Sequence, residues 1–167
     1  MIQHLARMGM IVISFVALSA CGTSTGGTPT TSTPAAARTP NAELVPYMVE
    51  GVSINKPLTD KPGNPTEGRK VAIGMTLGNC LACHKLPIPE EEFHGEIGPD
   101  LKGVGNRLPE AVLRLRVVDA KRFNPMTSMP AFYKADGLHR VAKERVGKPA
   151  LTAQQIEDLV AYLKTLK

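Results

Sequence analysis

The clearest pattern of apolar positions lies near the C-terminal end, where Ile156, Leu159, Val160, Leu163 and Leu166 recur at helical spacing on one face. Thr152 and Gln155 stand just ahead of that stripe as a capping box, side chain and backbone satisfying one another across the first turn. The stripe needs another surface to cover it. A second helix is predicted from Pro109 to about Val118, with proline at its start and Val112, Leu113, Leu115, Val117 and Val118 giving it apolar surface. A further helix begins at Asn64-Pro65-Thr66-Glu67, where Asn64 caps, Pro65 suits the first helical position and Glu67 reaches back to the cap. It is expected to run to about Thr76 and to end near Leu77-Gly78-Asn79. No alternating strand pattern of useful length separates these segments and no repeat is visible, so the predicted fold class is all-α with long loops.

Toward the N-terminus the pattern changes character. Met8 to Ala20 is a mostly apolar run that follows a single cation, Arg7, and ends in small residues, the layout of an export signal. Its thirteen residues are too few to cross a bilayer core, which takes about 20. Leu18-Ser19-Ala20-Cys21 resembles the lipobox of bacterial lipoproteins. That resemblance implies removal of residues 1–20, lipidation of Cys21 and a mature chain tethered to a membrane without spanning it. Ordinary cleavage after Ala20, leaving Cys21 as a free thiol, is the alternative. Residues 21–40 are almost entirely Gly, Thr, Ser, Pro and Ala, the composition of a flexible linker. Residues 41–63 carry only scattered apolar positions between prolines and glycines, which predicts an extended arm. One small domain is left, at residues 64–167.

Composition adds a shortage of bulk. The chain is 43% hydrophobic but only 4% aromatic, with no tryptophan and with 15 glycines and 14 prolines, so its side chains alone offer few large core fillers. A haem, large, flat and mostly apolar, would supply that volume. The net charge of +5 comes from Lys and Arg scattered among Asp and Glu. Without a dense basic tract or aromatics to stack on bases, nucleic acid is not a predicted partner. An acidic protein partner is compatible with this balance. Three cysteines cannot all pair, and two of them sit inside a CxxC, so a disulfide scaffold is a poor account of them.

Cys80-Leu81-Ala82-Cys83-His84 is the CxxCH attachment motif for one haem c. Cysteines three positions apart lie on one helical turn, where both sulfurs reach the two vinyl groups of one porphyrin edge and the adjacent imidazole faces the iron. A thioredoxin-like redox pair, half of a zinc site and chance are the rival accounts. The first wants a βαβ context and the second wants four ligands, and neither is visible. The second axial ligand is expected from a loop that wraps to the opposite side of the haem. Met129 is the candidate, with Pro130 stiffening the backbone beside it, and Met126 on the same loop is its rival. His94 and His139 lack a supporting motif and read as solvated surface histidines. Arg114, Arg116, Lys121 and Arg122 read either as a patch that steers an acidic partner or as an ordinary solvated helix face.

Gly98-Pro99-Asp100-Leu101 resembles the GPxL segment of class I cytochromes c. The resemblance implies that the Pro99 carbonyl accepts a hydrogen bond from His84, fixing its ring. Together with the CxxCH segment, Leu113-Arg114-Leu115-Arg116-Val117-Val118-Asp119-Ala120 and Asn124-Pro125-Met126-Thr127-Ser128-Met129-Pro130 make residues 64 to 166 similar to SoxX, the monohaem cytochrome subunits of bacterial sulfur oxidation. That resemblance implies a class I cytochrome c fold, helices wrapped around one covalently bound haem. It implies a SoxA-like cytochrome as partner, in a periplasmic SoxAX complex (L-cysteine S-thiosulfotransferase) that conjugates thiosulfate to a cysteine of the SoxYZ carrier. The subunit would take electrons from the SoxA haem and pass them to a downstream c-type cytochrome, with no catalytic residue of its own. The lipobox and the long linker depart from a freely soluble SoxX. A stand-alone, membrane-tethered cytochrome of a respiratory chain is the alternative, and a thiol-disulfide module built on Cys80 and Cys83 is a third.

Overall fold

The structure, a computed structural model, describes residues 44–167, so the expected export signal, Cys21 and the linker lie outside the described residues. Four helices follow in order: α1 (Pro65–Ile73), the single turn α2 (Val104–Arg107), α3 (Glu110–Asp119) and α4 (Ala153–Thr165). Short 3-10 turns occupy Cys80–Ala82, Ala120–Arg122 and Lys143–Arg145. Among the described residues there is no strand, only an isolated bridge between Glu50 and Ser53. The class is all-α, as the sequence patterns predict.

Local chemistry sets the helix ends. Thr152 and Gln155 form the reciprocal capping box of α4, and the predicted stripe of Ile156, Leu159, Val160, Leu163 and Leu166 is buried. At α1 the cap differs in one respect. The Asn64 side chain accepts from the Thr66 and Glu67 amides as expected. The Asn64 amide, however, donates to Asp158 Oδ1 of α4 at 2.8 Å. With that donor taken, the Glu67 carboxylate accepts instead from Lys70 Nζ at 2.7 Å. The helix stops at Ile73 rather than Thr76, where Gly74 leaves helical geometry.

The α1–α4 crossing forms the floor of the core. Gly68 is what allows it: a Cβ there would fall on the Asp158 carbonyl and the Tyr162 side chain. Helices that approach this closely exclude any larger residue at the crossing. Val71, Ala72, Leu159, Val160 and Leu163 fill the interface region and continue into Leu113, Leu115, Val117 and Val118 of α3.

The segment before α1 lies against the helices. Ile54, with no exposed surface, and Leu58 are buried in the core, and the Ile54 amide donates to Ala111 O at 3.0 Å. The Val45 amide donates to the Tyr133 hydroxyl at 2.8 Å. The strongest tie is Arg114, only 2% exposed. Its guanidinium donates from Nε and Nη2 to Glu157 at 2.9 Å each, from Nη1 to Ile54 O at 2.9 Å and from Nη2 to Glu110 at 2.8 Å. Glu157 Oε1 accepts in turn from the Leu58 amide at 2.9 Å. Burial by itself would lower the Arg114 pKa, but the hydrogen bonds and charge of Glu157, with Glu110 behind them, raise it. Arg114 is therefore neither a steering charge nor part of a solvated face; it joins α3, α4 and the preceding segment. Arg114→Ala leaves Glu157 buried without its cation and is expected to lose about 3–5 kcal/mol. Chemical denaturation of the haem-loaded protein reads this directly, and a loss below about 1 kcal/mol would be that of an exposed pair.

Candidate haem site

Between α1 and the loops that follow, the backbone folds back on itself. The Gly78 amide donates to Val71 O at 3.0 Å, and Asn79 turns the chain in the left-handed region, φ 45°, a conformation asparagine tolerates better than most residues. The chain then enters the turn Cys80–Ala82, closed by the Cys83 and His84 amides donating to Cys80 O at 3.1 and 2.8 Å. Leu81 points into the core. Cys80, Cys83 and His84 all face one cavity of about 720 Å3.

That cavity is walled by apolar side chains from every helix except α1: Val104, Leu113, Val117, Leu159 and Leu163, with Leu101, Leu108 and Phe132 from loops. Its volume is that of sites that bury a cofactor. His84 stands with Nδ1 2.7 Å from Pro99 O. A carbonyl only accepts, so Nδ1 carries the proton and the Nε2 lone pair is left for a metal. The Gly98 amide donates to Cys83 O at 2.7 Å, and a Cβ on Gly98 would fall on the His84 ring. Glycine at 98 is thus required by the imidazole it touches.

The loop after α3 closes the other side. The Phe132 and Tyr133 amides donate to Val117 O and Val118 O at 3.2 Å, which stitches the loop back along α3. Within it, the Met129 amide donates to Thr127 Oγ1 at 3.2 Å and Lys121 Nζ to Thr127 O at 2.7 Å. Met129 is half-buried against the core and lines the cavity. Met126 is 90% exposed and is not on the cavity wall. The structure therefore gathers Cys80, Cys83, His84, Pro99 and Met129 around one space and turns Met126 away from it.

Before a haem is attached, Cys80 and Cys83 are both thiols, not a disulfide. Burial pushes Cys80 up to about 11, whereas the attacking thiol of a redox pair has its pKa lowered. Nor do the described residues contain a group of three or more His, Cys, Asp or Glu side chains that could hold a metal ion, so a zinc site lacks its ligands. The donor set fits a haem: two thiols, one imidazole with a free Nε2 and one thioether. One further residue fits it too. Arg116 lines the cavity with its guanidinium 3.9 Å over the Phe123 ring, and its buried Nε meets no acceptor among the described residues. A carboxylate such as a haem propionate is the kind of partner it lacks.

Sequence patterns did not separate Arg116 from its neighbours, because helical periodicity alone does not say which arginine of α3 turns inward to Glu157 and which to the cavity. His94 also differs from the expectation of a solvated surface residue. Its Nδ1 accepts from the Leu86 amide and its Nε2 lies on Glu91 O, both at 3.0 Å, so it braces the loop after His84. His139 is exposed.

Residues 65–167 match the family model described as cytochrome c. Among solved structures, a chain in the crystal structure of SoxXA from P. pantotrophus is 44% identical with a TM-score of 0.68, over 72% of this chain and 94% of that one. The c-type cytochrome SorU from Sinorhizobium meliloti is 22% identical with a TM-score of 0.40, over 61% of this chain and 88% of that one. The comparison with curated proteins returned no match.

Proposed function

Because this chain belongs to the cytochrome c family and carries one covalently bound haem c, we propose that it is the SoxX-type electron-transfer subunit of a SoxAX complex. The likeness to a SoxXA chain, 44% identical over nearly that chain's full length, is the observation that carries this reading. The geometry of the cavity agrees with it.

When bound, the haem supplies one-electron chemistry. The chain's own residues hold and tune it. Cys80 and Cys83 would hold the haem through their sulfurs, and His84, its ring fixed by Pro99 O, would offer its Nε2 to the iron. Met129 from the loop after α3 would offer its thioether to the same iron, and thioether ligation would raise the potential. The apolar walls keep water from the site. Among the described residues the cavity wall carries no carboxylate and no imidazole other than His84; joining thiosulfate to a cysteine of a SoxYZ-like carrier falls to a SoxA-like partner. The present chain relays the released electrons, one at a time, to a downstream c-type cytochrome. Its place is the periplasm, tethered to a membrane through lipidated Cys21, with residues 21–40 as the spacer.

Co-expression with a SoxA-like cytochrome is expected to give a stable complex whose haem is reduced when thiosulfate and the carrier are added together. Failure to form that complex, together with a deletion strain that oxidises thiosulfate normally and respires poorly, would replace this role with that of a stand-alone respiratory cytochrome.

A further inference from the structure

The two loops that border the haem cavity carry opposite charge. Residues 86–100, on the His84 side, contain Glu90, Glu91, Glu92, Glu96 and Asp100 and no lysine or arginine. Residues 120–135, on the Met129 side, contain Lys121, Arg122 and Lys134 and no acid. Of these cations only Lys134 has an ion-pair partner, Asp119 at 3.6 Å, while Lys121 donates to the neutral Thr127 O at 2.7 Å. On the acidic side Glu90 pairs with Arg69 and Asp100 accepts from the Lys102 amide. Glu91, Glu92 and Glu96 have no ion-pair partner among the described residues.

Beside these free carboxylates the loop presents Phe93, 86% exposed, between Glu92 and Glu96, and Ile97, 75% exposed, directly after Glu96. A folded chain with four phenylalanines gains nothing by holding one of them in water unless another surface covers it. Loose backbone does not account for the exposure. The Gly95 amide donates to Leu81 O and the Gly98 amide to Cys83 O, both at 2.7 Å, and His94 fastens the base of the loop to Leu86 and Glu91. Phe93 and Ile97 therefore flank anchored residues and are held outward beside the haem-attachment turn. Ile97 itself, like exposed Ala82, borders the cavity.

We propose that this acidic, apolar-centred lip is the docking surface for a basic electron-acceptor protein, one whose own redox group sits behind an apolar patch ringed by lysine or arginine. The proposal rests on the electron-transfer role and adds to it the face used and the charge of the acceptor. Glu91, Glu92 and Glu96 steer the encounter, and Phe93 with Ile97 provides the contact from which water is expelled. The transfer moves one electron from the reduced chain to the acceptor, with no atom or proton exchanged.

The test uses the full-length, haem-loaded protein, reduced beforehand and mixed by stopped flow with a lysine-rich cytochrome c or, separately, with an acidic small copper protein. Wild type is expected to react faster with the basic acceptor, and that rate is expected to fall as salt is raised. Glu92→Lys with Glu96→Lys is expected to slow the basic acceptor about tenfold or more at low salt and to leave oxidation by a small neutral quinone unchanged. Phe93→Ser is expected to slow it while keeping the salt dependence. Equal rates for wild type and the double lysine variant, or a wild type that prefers the acidic acceptor, would overturn the proposal. So would loss of SoxA-like complex formation in the double variant, since the lip would then belong to that partner. A wild type that forms no such complex yet shows the charge effect would sink the SoxX role and leave the docking surface standing.

Discussion

Cys80→Ala combined with Cys83→Ala is expected to yield a chain with no covalent porphyrin mass and no cooperative unfolding transition. Both thiols face the cavity, so the double variant removes every covalent attachment while leaving His84 and Met129 in place. The consequence reaches the whole fold because the cavity is central to it. Its walls come from α2, α3 and α4 and from the loops between them, and Leu113, Val117, Leu159 and Leu163 are core residues as well as cavity lining. At about 24 cal/mol per Å3 of residual void, 720 Å3 corresponds to about 17 kcal/mol. A whole domain holds about 5–15 kcal/mol in reserve. Collapse and entry of water recover part of that upper bound, and what remains is of the order of the margin itself in a chain with so few aromatic side chains. Intact mass measures the attachment, and near-ultraviolet circular dichroism with denaturant titration measures the packing. A double variant that melts cooperatively at the wild-type midpoint would mean that the protein fills its own core and that the cavity belongs to something other than haem.

Much of this arrangement is written locally. The CxxCH segment, the capping box of α4 and the proline that opens α1 each involve residues within a few positions of one another, so their chemistry is readable along the chain. Fold class followed from the same signals. Long-range pairing had no such signature. Arg114 and Glu157 are 43 positions apart, and nothing in either residue's neighbourhood distinguishes a buried arginine from an exposed one. The Asn64 amide shows the same limit from the other side: the capping-box pattern at Asn64 and Glu67 is present, but Asp158, 94 positions away, takes the donor that Glu67 would have needed. Gly68 likewise looks like a weak point inside a helix until α4 is seen pressing on it. The exposed Phe93 is a further case. Hydrophobicity argues for burial, and only the anchoring of Gly95, Gly98 and His94 sets its ring outward.

Met129→Leu is expected to abolish the ferric thioether-to-iron absorption band and to lower the reduction potential, while Met126→Leu changes neither. Spacing left these two methionines as rivals, since both lie on one loop. Packing separates them. Met129 is half-buried on the cavity wall, its amide turned onto Thr127, whereas the Met126 amide is held by Asn124 Oδ1 at 3.0 Å and its side chain stands in solvent. Leucine is the informative replacement because it keeps nearly the same volume and removes only the sulfur. A band lost with the unfolding free energy kept within about 1.5 kcal/mol of wild type reports ligation, whereas Met129→Ala would mix ligation with a packing defect. The potential should fall because a thioether favours ferrous iron, and the ligand that replaces it, water or a nitrogen base, does not. Loss of the band in Met126→Leu with Met129→Leu spectrally normal would reverse the assignment and require the loop after α3 to turn over.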